Sequence, residues 1–277
     1  MDPKPATSFP DYTRPPVIEV VYGIQFDHLE KLQAPLTGVF WQKIRKEYPE
    51  IEEMPPLAPV VEQYKEKLGL GQLRVQMQLR ESPPLPRIFF IHKTGNWVMQ
   101  LQNNKFLYNW RKVKEDDIYP RFPIVSAKFF EAWESFREFC KEEELSEPKI
   151  NQLELTYINH IPFGDKWNEL AEIGKIFPDL GWRDSHKFLP SPESINWTVT
   201  FLLPDNQGRL RVSLRHGVRD VDNREVLLCE LTVRGSPPQV ESANIRSWFA
   251  LGREWIVRGF TDLTSDQAQT KVWGRKA

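Results

Sequence analysis

The sequence contains no motif typical of a common catalytic or cofactor-binding site. Among its 277 residues there is no GxSxG, HExxH, GxxxxGK(S/T) or CxxC pattern and no EF-hand loop. This absence lowers the expectation of an enzyme, although residues from distant strands can form an active site without a local motif. From the sequence we therefore predict no catalytic residue, no metal and no cofactor, and we favour a non-enzymatic protein.

Cysteine is scarce, and neither sign of charge is in excess. Cys140 and Cys229 are the two cysteines, which favours reduced thiols in a cytoplasmic protein. The 37 basic residues nearly balance the 38 acidic residues, so the formal net charge is -1 and predicts no general attraction to nucleic acid or anionic lipid. No apolar run approaches the roughly 20 residues of a membrane-spanning helix, so we expect no membrane association.

The first 16 residues lack the apolar stretch of a signal peptide. They contain five prolines instead, two of them adjacent at the end of the segment. Proline-rich segments without apolar periodicity are typically extended and solvated. We therefore predict a flexible lead-in over residues 1–16.

Four segments alternate apolar and polar residues, which is the pattern of half-buried antiparallel strands. The clearest of them runs from Arg209 to Arg219. One face of this strand is predicted to carry Leu210, Val212, Leu214 and Val218, and the other to carry Arg209, Arg211, Arg215 and Arg219. Such a pattern indicates a sheet that is covered on one face and open on the other.

The same succession of elements occurs twice along the chain. A first strand, a helix-like segment and a meander of short strands are followed each time by an amphipathic helix rich in aromatic residues. The sequence therefore predicts an α+β fold of two β-meander-plus-helix units, each with its own antiparallel sheet covered on one face by its helix. The predicted units are residues 17–164 and 165–277, with the boundary near Gly164. The predicted strands are 17–26, 73–80, 87–92, 97–102, 106–110, 150–161, 194–203, 209–218 and 225–234, and the predicted helices are 36–44, 128–144, 167–177 and 240–263.

The arginine-bearing strand face is the first candidate binding surface. Arg209, Arg211, Arg215 and Arg219, joined by Arg234 of a neighbouring strand, present guanidinium groups suited to phosphate or carboxylate. Acidic residues close in sequence offer an alternative, in which cross-strand ion pairs neutralise this face. Gln76, Gln78, Gln100 and Gln102 form a second polar face with no chemistry of its own.

One further strand places polar side chains at unusual positions. Asn159 lies on the apolar side of this strand, where a buried amide must bond a neighbouring backbone or point into a pocket. Glu154 and His160 lie on the other side and form an acid–base pair if that face lines a cleft. The alternative for these two residues is a solvated strand face.

Four short motifs resemble a sporadically distributed bacterial and archaeal family of uncharacterised proteins of similar length. They are the opening PPVIEV of residues 15–20, the aromatic helix segment 129–136, the strand LTYINHI of residues 155–161 and the terminal WGR of residues 273–275. Thr156 stands where the family has arginine. The resemblance implies no established activity. Its patchy distribution implies an accessory gene of the toxin–antitoxin or phage-defence type.

Together these features predict a non-enzymatic recognition or regulatory protein that binds a protein partner such as a toxin or a defence effector. The alternative is a nucleotide- or RNA-binding sensor or enzyme that uses the arginine face. A homodimer is compatible with either function, because Trp248, Phe249 and Trp255 cover more of one predicted helix than a single core needs.

Overall fold

The structure is a computed structural model that describes residues 9–62, 85–164, 167–182, 188–219, 222–237 and 241–276. The predicted strand at 73–80, with Gln76 and Gln78, lies outside these residues. The strands are β1 (Val17–Phe26), β2 (Glu50–Met54), β3 (Arg87–Ile91), β4 (Trp97–Gln102), β5 (Lys105–Arg111), β6 (Ile150–Pro162), β7 (Asn196–Leu202), β8 (Gly208–Val218) and β9 (Glu225–Gly235). The α-helices are α1 (Ala34–Ile44), α2 (Arg121–Glu142) and α3 (Ser242–Leu263).

The described strands form one antiparallel sheet of nine strands in the order β2-β3-β4-β5-β1-β6-β9-β8-β7. The antiparallel α+β character predicted from the sequence is therefore confirmed. The two separate sheets are not found, because β6 pairs with β1 along one edge and with β9 along the other. This pairing satisfies main-chain groups that two separate meanders would each leave open at an edge. The predicted boundary near Gly164 follows directly after β6.

The two halves of the sheet share one connectivity. In the first half, β1 pairs with the last strand of its meander, β5, and α2 follows. In the second half, β6 pairs with the last strand of its meander, β9, and α3 follows. Because β1 and β6 are antiparallel neighbours, the halves are arranged about an approximate two-fold axis between these strands. The repeated succession of elements read from the sequence is thus a repeat within one sheet.

Both long helices pack on the same face of the sheet. Tyr22 of β1 lies between them, with its ring centroid 4.8 Å from that of Phe129 in α2 and 4.9 Å from that of Phe249 in α3. The aromatic residues therefore fill a shared core, in which a tightly packed aromatic pair contributes about 0.5–1.5 kcal/mol beyond the area it buries. Of the three aromatic residues predicted to exceed the needs of one core, Trp248 and Phe249 are buried in this core and Trp255 is half-buried. Cys140 and Cys229 are free and buried.

The described part of the predicted lead-in packs against the C-terminal residues. Tyr12 forms an isolated β-bridge with Arg275, and the amides of Thr13 and Arg14 donate to the carbonyls of Gly274 and Trp273 at 3.0 and 2.9 Å. Residues 9–16 thus form an arm that lies beside the helices.

None of the helices in the described part of the chain is long and apolar enough to cross a membrane.

Candidate functional site on the open face of the sheet

The face of the sheet opposite the helices is polar and is called the open face here. On β8, Leu210, Val212 and Leu214 are buried, whereas Arg211 and Arg215 are exposed on the opposite side. The predicted alternation is therefore confirmed for residues 210–215. Val218, which was predicted on the covered face, is 57% exposed, because it is the last residue of β8. Arg219 lies one residue beyond the end of β8 and does not belong to its open face.

A row of side chains crosses the open face at right angles to the strands. Gln102 of β4, Lys105 of β5, Gln25 of β1 and Gln152 of β6 are register partners on four adjacent strands. We call Gln102, Gln25 and Gln152 the glutamine row. All three amides are at most 6% exposed, although they lie on the face without helices. Burial of this degree on an open face requires a covering segment.

The cover is the chain's own crossing segment, residues 55–62, which follows β2. Gln102 binds both main-chain groups of Leu57, because its Oε1 accepts from the amide at 2.8 Å and its Nε2 donates to the carbonyl at 2.9 Å. Gln25 accepts from the amide of Val60 at 3.0 Å. Gln152 accepts from the amide of Glu62 at 2.8 Å and donates to the carbonyl of Val60.

The hydrogen bonds from the row to the crossing segment all go to main-chain atoms, while Gln25 and Gln102 also donate to the side chains of Asn151 and Asn104. Lys105 adds a hydrogen bond from its Nζ to the carbonyl of Ala58 at 2.8 Å. The side chains of Leu57, Val60 and Val61 remain exposed. Three strand spacings of about 4.8 Å and five extended residues of about 3.3 Å give similar lengths, so the row matches the repeat of an extended chain. The side-chain amides of the row therefore form hydrogen bonds to the backbone of the crossing segment, as the main chain of a neighbouring strand would.

The predicted arginine face is largely neutralised by ion pairs. Arg209 pairs with Glu62 of the crossing segment at 2.6 Å, Arg234 pairs with Glu154, and Arg215 approaches Glu230 at 3.6 Å. Arg209 and Arg234 are register partners, as expected from neighbouring strands. Arg219 pairs with Asp222, which lowers the pKa of that carboxyl to about 2. Arg211 is exposed and has no ion pair among the described residues.

A basin of about 380 Å³ lies on the open face beside the crossing segment, with Leu57 at its edge. A chain of hydrogen bonds spans it, from Arg87 to Gln100, from Gln100 to Asn109, and from Asn109 to Glu19. Burial raises the pKa of Glu19, and the bond from Asn109 opposes this effect. The basin therefore combines the partly desolvated carboxyl of Glu19 with the guanidinium of Arg87, which has no ion pair among the residues described.

The other predicted site residues are not brought together. Glu154 and His160 are six residues apart on β6, about 20 Å along a strand, so they form no acid–base pair. Burial and the nearby Arg219 lower the pKa of His160. Asn159 is buried, and its Nδ2 donates to the carbonyl of Cys229 on β9 at 3.1 Å. This bond pins the backbone of β9, and Asn159 also lines a cavity on the helix-covered side of the sheet, so both roles expected for this buried amide stay open.

Sequence reasoning found Gln102 but missed Gln25 and Gln152. Both occupy the polar side of their strands, so their alternation was a usable signal. The missing information was their cover, because the proline-rich crossing segment has no strand pattern of its own. Among the described residues there is also no group of three or more His, Cys, Asp or Glu arranged to hold a metal ion.

Comparison with known proteins adds no assignment to this geometry. The chain matches no protein-family model, and no curated protein is similar to it. The open face, with its glutamine row and basin, therefore has to be interpreted from its own chemistry.

Proposed function

We propose that this chain is a non-enzymatic recognition protein whose open face binds an extended segment of a protein partner. The observation that carries the proposal is the glutamine row, which binds the main-chain atoms of three residues, Leu57, Val60 and Glu62, of the crossing segment. Contacts of this kind place few demands on the sequence of the bound segment, and pockets for its side chains supply specificity.

In the proposed mechanism the partner's segment replaces the crossing segment on the row. The crossing segment is tethered to the chain, so it competes at an effective concentration in the millimolar range. A partner displaces it by adding side-chain contacts in the neighbouring basin, whose floor includes Phe89, Leu107 and Ile158. The crossing segment would then exclude weak competitors from the row. A toxin or a defence effector, the partner class implied by the family resemblance, is part of this proposal.

The test uses a variant whose crossing segment can no longer bind the row, called the opened variant, and adds a separate peptide to it. In this variant, Leu57, Val60 and Glu62 are each replaced by Pro, which removes the three amide hydrogens that the row accepts. Binding of a fluorescent peptide with the sequence of residues 55–62 is then measured by anisotropy. We expect this variant to bind the peptide and the intact chain to bind it at least about tenfold more weakly, because the tethered segment occupies the row. A peptide with the same residues in a scrambled order that keeps Pro out of the positions of Leu57, Val60 and Glu62 should bind comparably, because those amides are the donors to the row. N-methylation at the position of Val60 should abolish binding.

A matched control separates the row from the rest of the face. Gln152→Leu, added to the opened variant, should remove peptide binding, whereas Arg211→Ala should leave it unchanged. Failure of the opened and folded variant to bind any of the peptides contradicts the proposal.

The nucleic-acid alternative is tested by a pull-down of the intact chain with and without nuclease. Bound RNA or nucleotide that is lost with Arg211→Ala and Arg215→Ala would favour that alternative.

A further inference from the structure

A second cavity, of about 210 Å³, lies on the helix-covered side of the sheet. Its walls come from the arm of residues 9–16, from the first residue of β1, from the beginning of α2 and the residues just before it, from β6 and from one side of α3. Most of the lining is apolar, and Phe9, Phe122, Ile256 and Phe260 are among its members. A small apolar cavity with a few polar groups is the usual form of a small-molecule site.

Arg253 of α3 is the main charged group of this cavity. Its guanidinium carbon lies 4.0 Å from the ring centroid of Phe9 and 4.7 Å from that of Phe122. Within the described ranges, no carboxylate pairs with it and no acceptor receives its N–H groups. Stacking satisfies the faces of a guanidinium and leaves the donors along its edge free, which is an arrangement suited to a carboxylate.

The other cation in the wall is already neutralised. Arg121 donates to Asp11 at 3.2 Å and to the carbonyl of Tyr12 at 2.8 Å, and Lys276 also pairs with Asp11. Asp11 is thus shared by two cations at the rim. Within the lining, the charges of Arg121 and Asp11 cancel, and the charge of Arg253 has no counter-charge among the described residues.

Two tyrosines supply a further donor. The hydroxyls of Tyr119 and Tyr157 are 3.0 Å apart and share one hydrogen bond. Neither hydroxyl has another partner in the described part of the chain, so the one that accepts keeps its own proton for donation. Burial raises the pKa of Tyr119 to about 12, which keeps this hydroxyl protonated at neutral pH.

We propose that this cavity binds a small aromatic carboxylate, with the carboxylate on Arg253 and the tyrosine pair and the ring among the apolar walls. The size supports one ring, because a cavity of about 150 Å³ accommodates benzene and this one is larger by the space of a carboxylate. Phosphate is disfavoured, because a single free guanidinium and one hydroxyl leave most of its oxygens without donors.

The test compares acids with their neutral isosteres on the intact chain. Benzoate and phenylacetate are titrated against benzamide and phenylacetamide, up to about 5 mM, by calorimetry and thermal unfolding. The acids should raise the unfolding temperature and bind at least about tenfold more tightly than the amides, because a charge-assisted pair forms only with the acid. Arg253→Gln should reduce the affinity for the acids by about tenfold or more.

Arg246 provides the matched control. It lies on the same helix and stacks on Phe130 at 3.8 Å, outside the cavity. Arg246→Gln should leave acid binding unchanged. Tyr119→Phe removes one hydroxyl and no charge, so it should weaken acid binding severalfold, which is less than the effect of Arg253→Gln. Equal affinity for acids and amides, an equal effect of Arg246→Gln and Arg253→Gln, or no binding of any acid in this range would overturn the proposal.

Discussion

Arg209 of β8 and Glu62 of the crossing segment form the least exposed ion pair among those of the described residues. Their atoms are 2.6 Å apart, and their side chains are 11% and 13% exposed. The pair ties the end of the crossing segment to the second half of the sheet, whereas the glutamine row lies mainly on the first half. The crossing segment therefore binds residues on both sides of the approximate two-fold axis.

Removal of this carboxylate should destabilise the fold. We expect Glu62→Gln to lower the free energy of unfolding by about 1–3 kcal/mol, because it removes a carboxylate that is paired with a shielded guanidinium. Urea unfolding measures the change. The control is Glu134→Gln on α2, which removes an ion pair with Arg137 whose side chains are 56% and 38% exposed. It should cost no more than about 0.5 kcal/mol, and equal losses in the two variants would contradict the role of burial.

The glutamine row should protect the amides that it binds. Gln152→Leu removes the acceptor of the Glu62 amide, so we expect that amide to exchange its hydrogen about tenfold faster. Hydrogen exchange followed by NMR measures this rate. Gln100→Leu is the control, because Gln100 is a buried glutamine of the same face whose hydrogen bonds go to Arg87 and Asn109 and not to the crossing segment. Unchanged exchange at Glu62 in Gln152→Leu would show that the bond contributes no protection.

Local patterns predicted the elements well because each element buries one side. The alternation of β8 identified its apolar and arginine-bearing faces, and the aromatic spacing of α2 identified its buried side, although α2 begins at Arg121 and not at 128. The joining of β1 to β6 was not predictable, because both strands have apolar sides that suit either one sheet or two. Main-chain pairing over 120 residues of separation leaves no local pattern.

The candidate sites were less predictable than the fold. The glutamine row needs residues from three strands and a segment rich in proline, which sequence patterns assign to a connector. The Arg253 cavity combines an N-terminal arm, two helices and a strand, and its decisive feature is a missing counter-charge. Neither feature has a local signature, since each depends on distant segments that meet only in the folded chain.

The half-buried carboxyl of Glu19 should make stability depend on pH. Its pKa in the folded state is raised above the unfolded value, so the folded state holds the proton more tightly, and stability falls as pH rises through this range. Each tenfold difference in proton affinity contributes about 1.4 kcal/mol. Glu19→Gln should therefore be more stable than the unmodified chain at pH 7 and should converge with it near pH 4, as measured by urea unfolding across this range. If the two chains differed by the same free energy of unfolding at every pH in this range, the raised pKa of Glu19 would not be the cause of the difference.

Two glycines that face each other on β8 and β9 should tolerate no side chain. Gly208 and Gly235 are register partners, and a Cβ on Gly235 would lie 2.5 Å from the Cα of Gly208 and even closer to the carbonyl oxygen of Gln207. That carbonyl accepts a hydrogen bond from the indole of the buried Trp248 at 2.8 Å. Gly235→Ala must displace backbone and this acceptor together, so we expect a loss of at least about 2 kcal/mol in the free energy of unfolding.

Gly38 in α1 provides the opposite expectation for the same substitution. A Cβ there would meet nothing within 4 Å, and glycine inside a helix costs about 0.5–1 kcal/mol relative to alanine. Gly38→Ala should therefore raise the free energy of unfolding by about that amount, while Gly235→Ala lowers it and changes the fluorescence of Trp248. If Gly235→Ala were as well tolerated as Gly38→Ala, β8 and β9 would not approach as closely as this register requires, and Trp248 would not depend on that approach for its hydrogen bond.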